Sequence, residues 1–231
     1  MIIELHAHTE VKSACGHVGI RELIDLYRGR NYDAVVITDH LNDWTIGIEN
    51  AENDWNGFVD SFYAPVKEGR EYAEKYGMKV FFGCELRFTG DENDYLVYGM
   101  TVEFLKAHPD IRAYGIGKFH EMAQENGFLV FQAHPFRDNM KITPVKYIDG
   151  IEVNNGNPRQ SSRNDIARIW ADMFGLRKIS GSDFHQPEDV GLGGIIACRD
   201  VNDEKELCEL LISGEYTLIC DPVGGLLKND R

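Results

Sequence analysis

Two histidines one residue apart, His6 and His8, follow the apolar run Met1-Ile2-Ile3-Glu4-Leu5. Side chains on an extended backbone alternate between two sides, so His6-x-His8 places two imidazoles together, a spacing suited to ligating one ion. The same pattern, a polar cluster directly after an apolar run, recurs three more times. Thr38-Asp39-His40 follows Ala34-Val35-Val36-Ile37, and Ala133-His134-Pro135 follows Phe128-Leu129-Val130-Phe131. Ser182-Asp183-Phe184-His185 follows Lys178-Ile179-Ser180-Gly181 and repeats the alternate spacing with a carboxylate added. Glu85 ends the run 79–85, and its two oxygens could bridge two ions. His17 lies in the loop after the first cluster. Imidazole is the commonest protein ligand for transition metals. The pattern predicts a multinuclear metal site.

Such a site requires elements that bring strand ends to one point. Strand-like and helix-like segments alternate along the chain. Residues 19–30 carry Ile20, Leu23, Ile24 and Tyr27 at helical spacing ahead of the strand 34–38. A second helical stretch, 55–76, leads to 79–85, and 95–99 reads as the fourth strand. A helix through 121–126 stops at Gly127 before the strand 128–132. Strands follow at 149–154 and 177–180, around a helix at 162–174 that stops at Gly175. Short strands at 194–198 and 216–220 flank a helix at 203–213. This rhythm predicts an α/β fold with a mostly parallel sheet and crossover helices. Strand exits of an α/β barrel converge on one face, so the ligand pattern favours a closed sheet. One domain is expected over residues 1–223, with 224–231 a frayed tail.

Composition narrows the class. The 231 residues, 43% hydrophobic and 27% charged, suit a single well-buried core. No apolar stretch approaches the roughly 20 residues that span a bilayer. The N-terminus lacks a signal-peptide pattern, which predicts a cytoplasmic protein. The five cysteines are scattered without a C-x-x-C pair and read as reduced thiols. Cys84, Cys198 and Cys220 sit in apolar runs. Cys15, between ligand candidates, is a secondary candidate thiolate ligand. A net charge of −14 disfavours long nucleic acid. It leaves room for a small phosphorylated substrate, because bound cations set the local charge.

The clusters His6-Ala7-His8-Thr9, Thr38-Asp39-His40, Gly83-Cys84-Glu85, Ala133-His134-Pro135 and Ser182-Asp183-Phe184-His185 resemble, in order and spacing, the motifs of the PHP (polymerase and histidinol phosphatase) family. The resemblance runs from residue 2 to about residue 200. It implies a distorted seven-stranded β/α barrel holding two or three Zn, Mn or Fe ions. By that resemblance His6, His8, Glu85 and Asp183 hold the first metal, and Glu85 bridges to a second that His134 also binds. His40 and His185 hold a third, with His17 as its loop ligand. Family members with a full second site use another histidine near the fourth strand, and alignment through 95–99 puts Thr101 there. His108 and His120 read as solvent-facing. Related amidohydrolase barrels carry a bridging lysine, whereas Glu85 takes that role here, which favours phosphoester chemistry.

The expected reaction is hydrolysis of a small phosphomonoester, of the nucleotide or histidinol phosphate kind. The nucleophile would be a metal-bridging hydroxide held by Glu85, Asp183 and His134. No residue stands out as the general acid. Arg87, Arg137, Arg159 and Arg163 are candidates for the substrate phosphate, which Arg can grip bidentately. Gly191-Leu192-Gly193-Gly194 does not join a strand to a helix start and is discounted as a phosphate loop. Two alternatives stand beside this reading: an exonuclease on short oligonucleotides, and a non-catalytic metal-binding sensor or interaction module.

Overall fold

The computed structural model describes residues 1–10, 16–48, 51 and 53–220. Strands and helices run β1 Ile2–Ala7, α1 Ile20–Gly29, β2 Ala34–Ile37, β3 His40–Leu41, α2 Asp43–Ile48, α3 Trp55–Ala73, β4 Lys79–Leu86, β5 Tyr95–Tyr98 and α4 Val102–Ala107. They continue with α5 Gly115–Asn126, β6 Leu129–Gln132, β7 Gly150–Asn155, α6 Asn164–Phe174, β8 Arg177–Gly181, β9 Ile195–Ala197, α7 Glu204–Ser213 and β10 Tyr216–Leu218. The tail expected at 224–231 and the candidate ligand Cys15 lie outside the described residues.

Seven strands circle the core in the order β1-β2-β4-β5-β6-β7-β8, and β8 packs back against β1. That seam is bridged once, parallel, between Ala7 and Phe184. The expected α/β barrel is therefore present, nearly closed, as a single domain. β9 and β10 extend from β1 as an antiparallel flap. Leu5, Val36, Phe81, Leu96 and Phe131 fill the barrel interior. Val35, Val80, Leu23 and Phe62 form a second layer between strands and helices. α1 shows why its sequence is helical: Ile20, Leu23, Ile24 and Tyr27 are its buried stripe. Burying each such side chain is worth about 1.5–3 kcal/mol.

β5 is the irregular strand. It runs antiparallel to both β4 and β6. A parallel return would need a crossover of about a dozen residues or more, and only the segment 87–94 joins β4 to β5. The reversal puts the start of β5, not its end, on the face where the other strands finish.

Candidate metal centre

The ligand candidates meet at that face. His6 and His8 are fully buried, as are Glu85, His134 and Asp183 to within 3% exposure. Three sets of donor atoms lie mutually within 4.8 Å: His8, His40 and His185; His6, Glu85 and His134; His6, His8 and Asp183. His6 Nε2 stands 3.4 Å from both Glu85 Oε1 and Asp183 Oδ1. It makes no hydrogen bond there, although it is buried. The His8 ring stacks on His40 at 4.3 Å and lies tilted against His185 at 4.4 Å. Glu85 Oε2 reaches His40 Nδ1 at 2.7 Å, and Glu85 Oε1 reaches His134 Nε2 at 3.0 Å. A buried imidazole nitrogen facing carboxylate oxygens without a hydrogen bond is what a cation position requires. The donors fit divalent metal.

Electrostatics agree. Burial opposes charge on His6, but the carboxylates of Glu152, Asp183 and Glu85 outweigh it and hold this imidazole well above its ordinary pKa. Burial, with His40 and His185 alongside, pushes His8 well below its usual range. Glu85 and Asp183 are held well below the carboxylate range despite burial, His6 being the main counter-charge for both. Neutral imidazole and ionised carboxylate are the ligating forms.

Backbone strain marks the same residues. His134 at φ 27° and Asp183 at φ 52° lie in the left-handed region, which costs a non-glycine residue about 1–3 kcal/mol. His134 is held there by Glu152, whose Oε2 accepts its N–H at 2.9 Å. Glu152 Oε1 is 2.9 Å from His6 Nδ1, which fixes the ring so that Nε2 faces the site. Asn155 Nδ2 also donates to Glu152 Oε2. Glu152 was not singled out in the sequence, because its strand position reads like any inward polar residue.

His17 has a different placement. It is exposed at the rim of the cavity, and its N–H donates to the His185 carbonyl at 2.9 Å. Among the described residues it joins none of the three donor sets. Thr101 is on the opposite face because β5 is reversed. Its side chain caps α4 by accepting from Phe104 N. The residue that β5 does bring to the centre is Asp94, immediately before the strand, 3.9 Å from His134 Nε2. Burial and the nearby charge of Glu85 push its pKa up. The reversal of β5 was the missing signal.

His120 is buried, not solvent-facing, with Nε2 3.6 Å from Asp149. His108 stacks on Phe104 with Nδ1 2.7 Å from that residue's carbonyl. Neither joins a donor set.

Three of the four arginines line a cavity of about 450 Å³ over the donors, with Met140, Asn157, Gln160 and Gln186. Each is paired to a carboxylate. Arg87 grips Asp94 through Nε and Nη2 at 2.7 and 2.6 Å. Arg137 Nη2 donates to Asp183 at 2.5 Å and to Asn155 at 2.7 Å. Arg159 grips Asp189 at 2.8 and 2.6 Å, and the same carboxylate accepts the His185 N–H. Arg163 instead pairs with Asp138 and the Phe136 carbonyl, and does not line the cavity.

A PHP domain model matches residues 4–196. The chain belongs to the PHP domain family. Membership makes it a metal-dependent phosphoesterase domain, and the His- and carboxylate-bearing strand ends are groups that could hold divalent ions. Among solved structures, a two-domain protein of Bacteroides vulgatus containing a predicted PHP-like metal-dependent phosphoesterase is 19% identical, with a TM-score of 0.66. That match covers 96% of this chain but 65% of the Bacteroides protein, so the PHP chain spans about two thirds of that relative's length. PsfC of Pseudomonas syringae is 18% identical over 90% of this chain and 87% of its own, with a TM-score of 0.64. An amidohydrolase of Chromobacterium violaceum, solved with sulfate and no metal, is 17% identical over 95% and 98%, at 0.53. At these identities the likeness is one of fold. No curated protein matches this chain. Among the described residues no helix is long and apolar enough to cross a membrane.

Proposed function

We propose that this PHP domain hydrolyses a small phosphomonoester with two or three Zn, Mn or Fe ions at the centre. The observation that carries the proposal is the meeting of three donor sets under one cavity, two of histidine with a carboxylate and one of three histidines. His6, His8, Glu85 and Asp183 would hold a first ion, Glu85 and His134 a second, and His40 and His185 a third, with His17 at the rim, bonded through its N–H to the His185 carbonyl. Divalent ions there supply positive charge to phosphate oxygens and lower the pKa of water.

The chain's own groups do the rest. Glu85 and Asp183 stay ionised at neutral pH, as their depressed pKa values require. Arg87 and Arg137 hold their carboxylate partners through Nε or Nη2, and Nη1 takes no part in these bonds among the described residues. That nitrogen is the one offered to a substrate phosphate. Asn157, Gln160 and Gln186 supply neutral polar contacts for the rest of the molecule. A cavity near 450 Å³ suits a nucleotide-sized or smaller ester. Cys84 and Cys208 are buried free thiols, which supports a reducing, cytoplasmic setting.

The test is phosphate release from a monoester panel, with a phosphodiester alongside, after chelation and reloading with Mn or Zn. Monoester turnover that His8→Ala abolishes supports the proposal. Preference for the diester moves the reading to short-oligonucleotide cleavage. Stoichiometric metal with no turnover of any ester makes the domain a sensor.

A further inference from the structure

The barrel seam contains a carboxylate that none of the proposed chemistry uses. β1 has two halves with different partners. Its first half pairs with β9 through Ile2–Ile196 and Ile3–Ile195. Its last residue bridges to Phe184, whose N–H donates to the His6 carbonyl and whose carbonyl accepts the His8 N–H. Between these halves the register of β1 on β2 slips, between Glu4 and Ala7. Such a bulge re-aims side chains. Leu5 joins the barrel interior while His6, the next residue, joins the donor cluster.

The displaced backbone needs acceptors, and Glu4 supplies them. Its Oε1 accepts the N–H of Leu5 at 3.0 Å, of His6 at 2.9 Å and of Ser182 at 2.9 Å. Its Oε2 accepts from Tyr27 Oη at 2.9 Å and from Ser182 Oγ. One fully buried carboxylate thus ties β1, the chain just past β8, and α1. Each of these contacts is a donor to it, and an ionised carboxylate is the side chain that only accepts. The strands come very close here: a Cβ on Gly181 would fall 2.4 Å from His6 Cβ. Nothing larger than glycine fits opposite the bulge. The carboxylate does the work of the missing ladder.

We propose that Glu4 is a positioning residue that closes the β1–β8 seam and sets His6 and His8 against Asp183. It acts through the backbone, at the ends of the two motifs that meet across the seam. The inference rests on His6, His8 and Asp183 binding metal, so its test reads metal and not turnover. Co2+ titration of the chelated protein, followed by its d–d absorption, gives affinity and stoichiometry for folded protein. Circular dichroism checks that each variant is folded.

Glu4→Ala is expected to weaken the tightest Co2+ by about 10–100-fold, the range for losing an outer partner of a ligand. Glu4→Gln keeps an oxygen for the three backbone donors and presents its amide to hydroxyls that can turn to accept. It is expected to stay within a few-fold of the wild type. Glu4→Asp reaches Leu5 and His6 but not Ser182, and is expected to fall between. Tyr27→Phe loses its contacts to Glu4 Oε2 and to Ser182 Oγ but leaves the three backbone donors on Oε1 in place, and is expected to lower thermal stability while leaving Co2+ affinity unchanged. Wild-type affinity and stoichiometry in folded Glu4→Ala would overturn the proposal. If Glu4→Ala does not fold, wild-type affinity in Glu4→Asp overturns it instead. Wild-type protein that binds no Co2+ would remove the functional reading as well. Binding that ignores these substitutions removes this inference alone.

Discussion

On the seam side of the cavity, where β1 meets the end of β8, imidazoles predominate: His6, His8 and His185 face Asp183. On the far side, where β5 reverses, carboxylates and arginine predominate: Glu85 and Asp94 face His134, with Arg87 gripping Asp94. The seam side is built from two parallel strands whose ends carry alternating ligands. The far side is built from the ends of β4 and β6 and the beginning of the reversed strand between them. A strand that runs backwards offers the site the residue before it, and here that residue is a buried carboxylate. The two sides present different donor chemistry to bound ions, nitrogen-rich against oxygen-rich, and softer metals favour the former.

The largest effect is expected on the seam side. Asp183→Ala removes a carboxylate that two imidazoles face, at 3.4 Å from His6 and 3.3 Å from His8. Losing an ion worth several kcal/mol of transition-state stabilisation should lower kcat/KM by about 10³-fold or more. Steady-state kinetics with metal analysis check this. Next comes the residue shared by both sides. Glu152→Gln puts an amide among donors, favouring the His6 tautomer with the proton on Nε2, and should cost about 10–100-fold in metal affinity. Nitrogen-15 shifts of the His6 ring report the tautomer directly.

Acidity separates metal-free from loaded protein. His6 has a raised folded-state pKa, so its contribution is complete below about pH 6.5, the unfolded value. It is lost as pH rises through the folded value. Metal-free protein should therefore melt at falling temperature as pH rises from about 6.5 through the folded value, while the loaded protein should not. Thermal melts in both states check this.

Asp94→Asn sharpens the far side. It should lower affinity for one ion by about tenfold, an outer-partner effect, and leave the tightest ion in place. Equal loss of all ions would erase the distinction between the two sides. Smallest is Thr101→Ala, which should cost about 1 kcal/mol as a lost helix cap with metal content unchanged. A change in metal content would return Thr101 to the site.

Sequence made the seam side legible. Alternation in His6-x-His8 and Asp183-x-His185 needs only a strand to become geometry, and the strands are apolar runs of ordinary length. The order of elements likewise announced an α/β barrel. What stayed hidden depends on direction and on non-local pairing. Periodicity says that 95–99 is a strand but not which way it runs, so alignment puts Thr101 where a second-site histidine is expected and passes over Asp94. Glu4 and Glu152 were invisible for a related reason: their roles are defined by donors far along the chain, at Ser182 and at His134. His120 shows the opposite limit. It sits on a helix that reads as surface, yet packing buries it.

Metal stoichiometry tests the central claim most directly. Chelated protein dialysed against Mn2+ or Zn2+ should retain two or three ions per chain, and Asp183→Ala should lose at least one. Wild-type protein that keeps no ion after dialysis would contradict the metal centre and the phosphoester chemistry built on it.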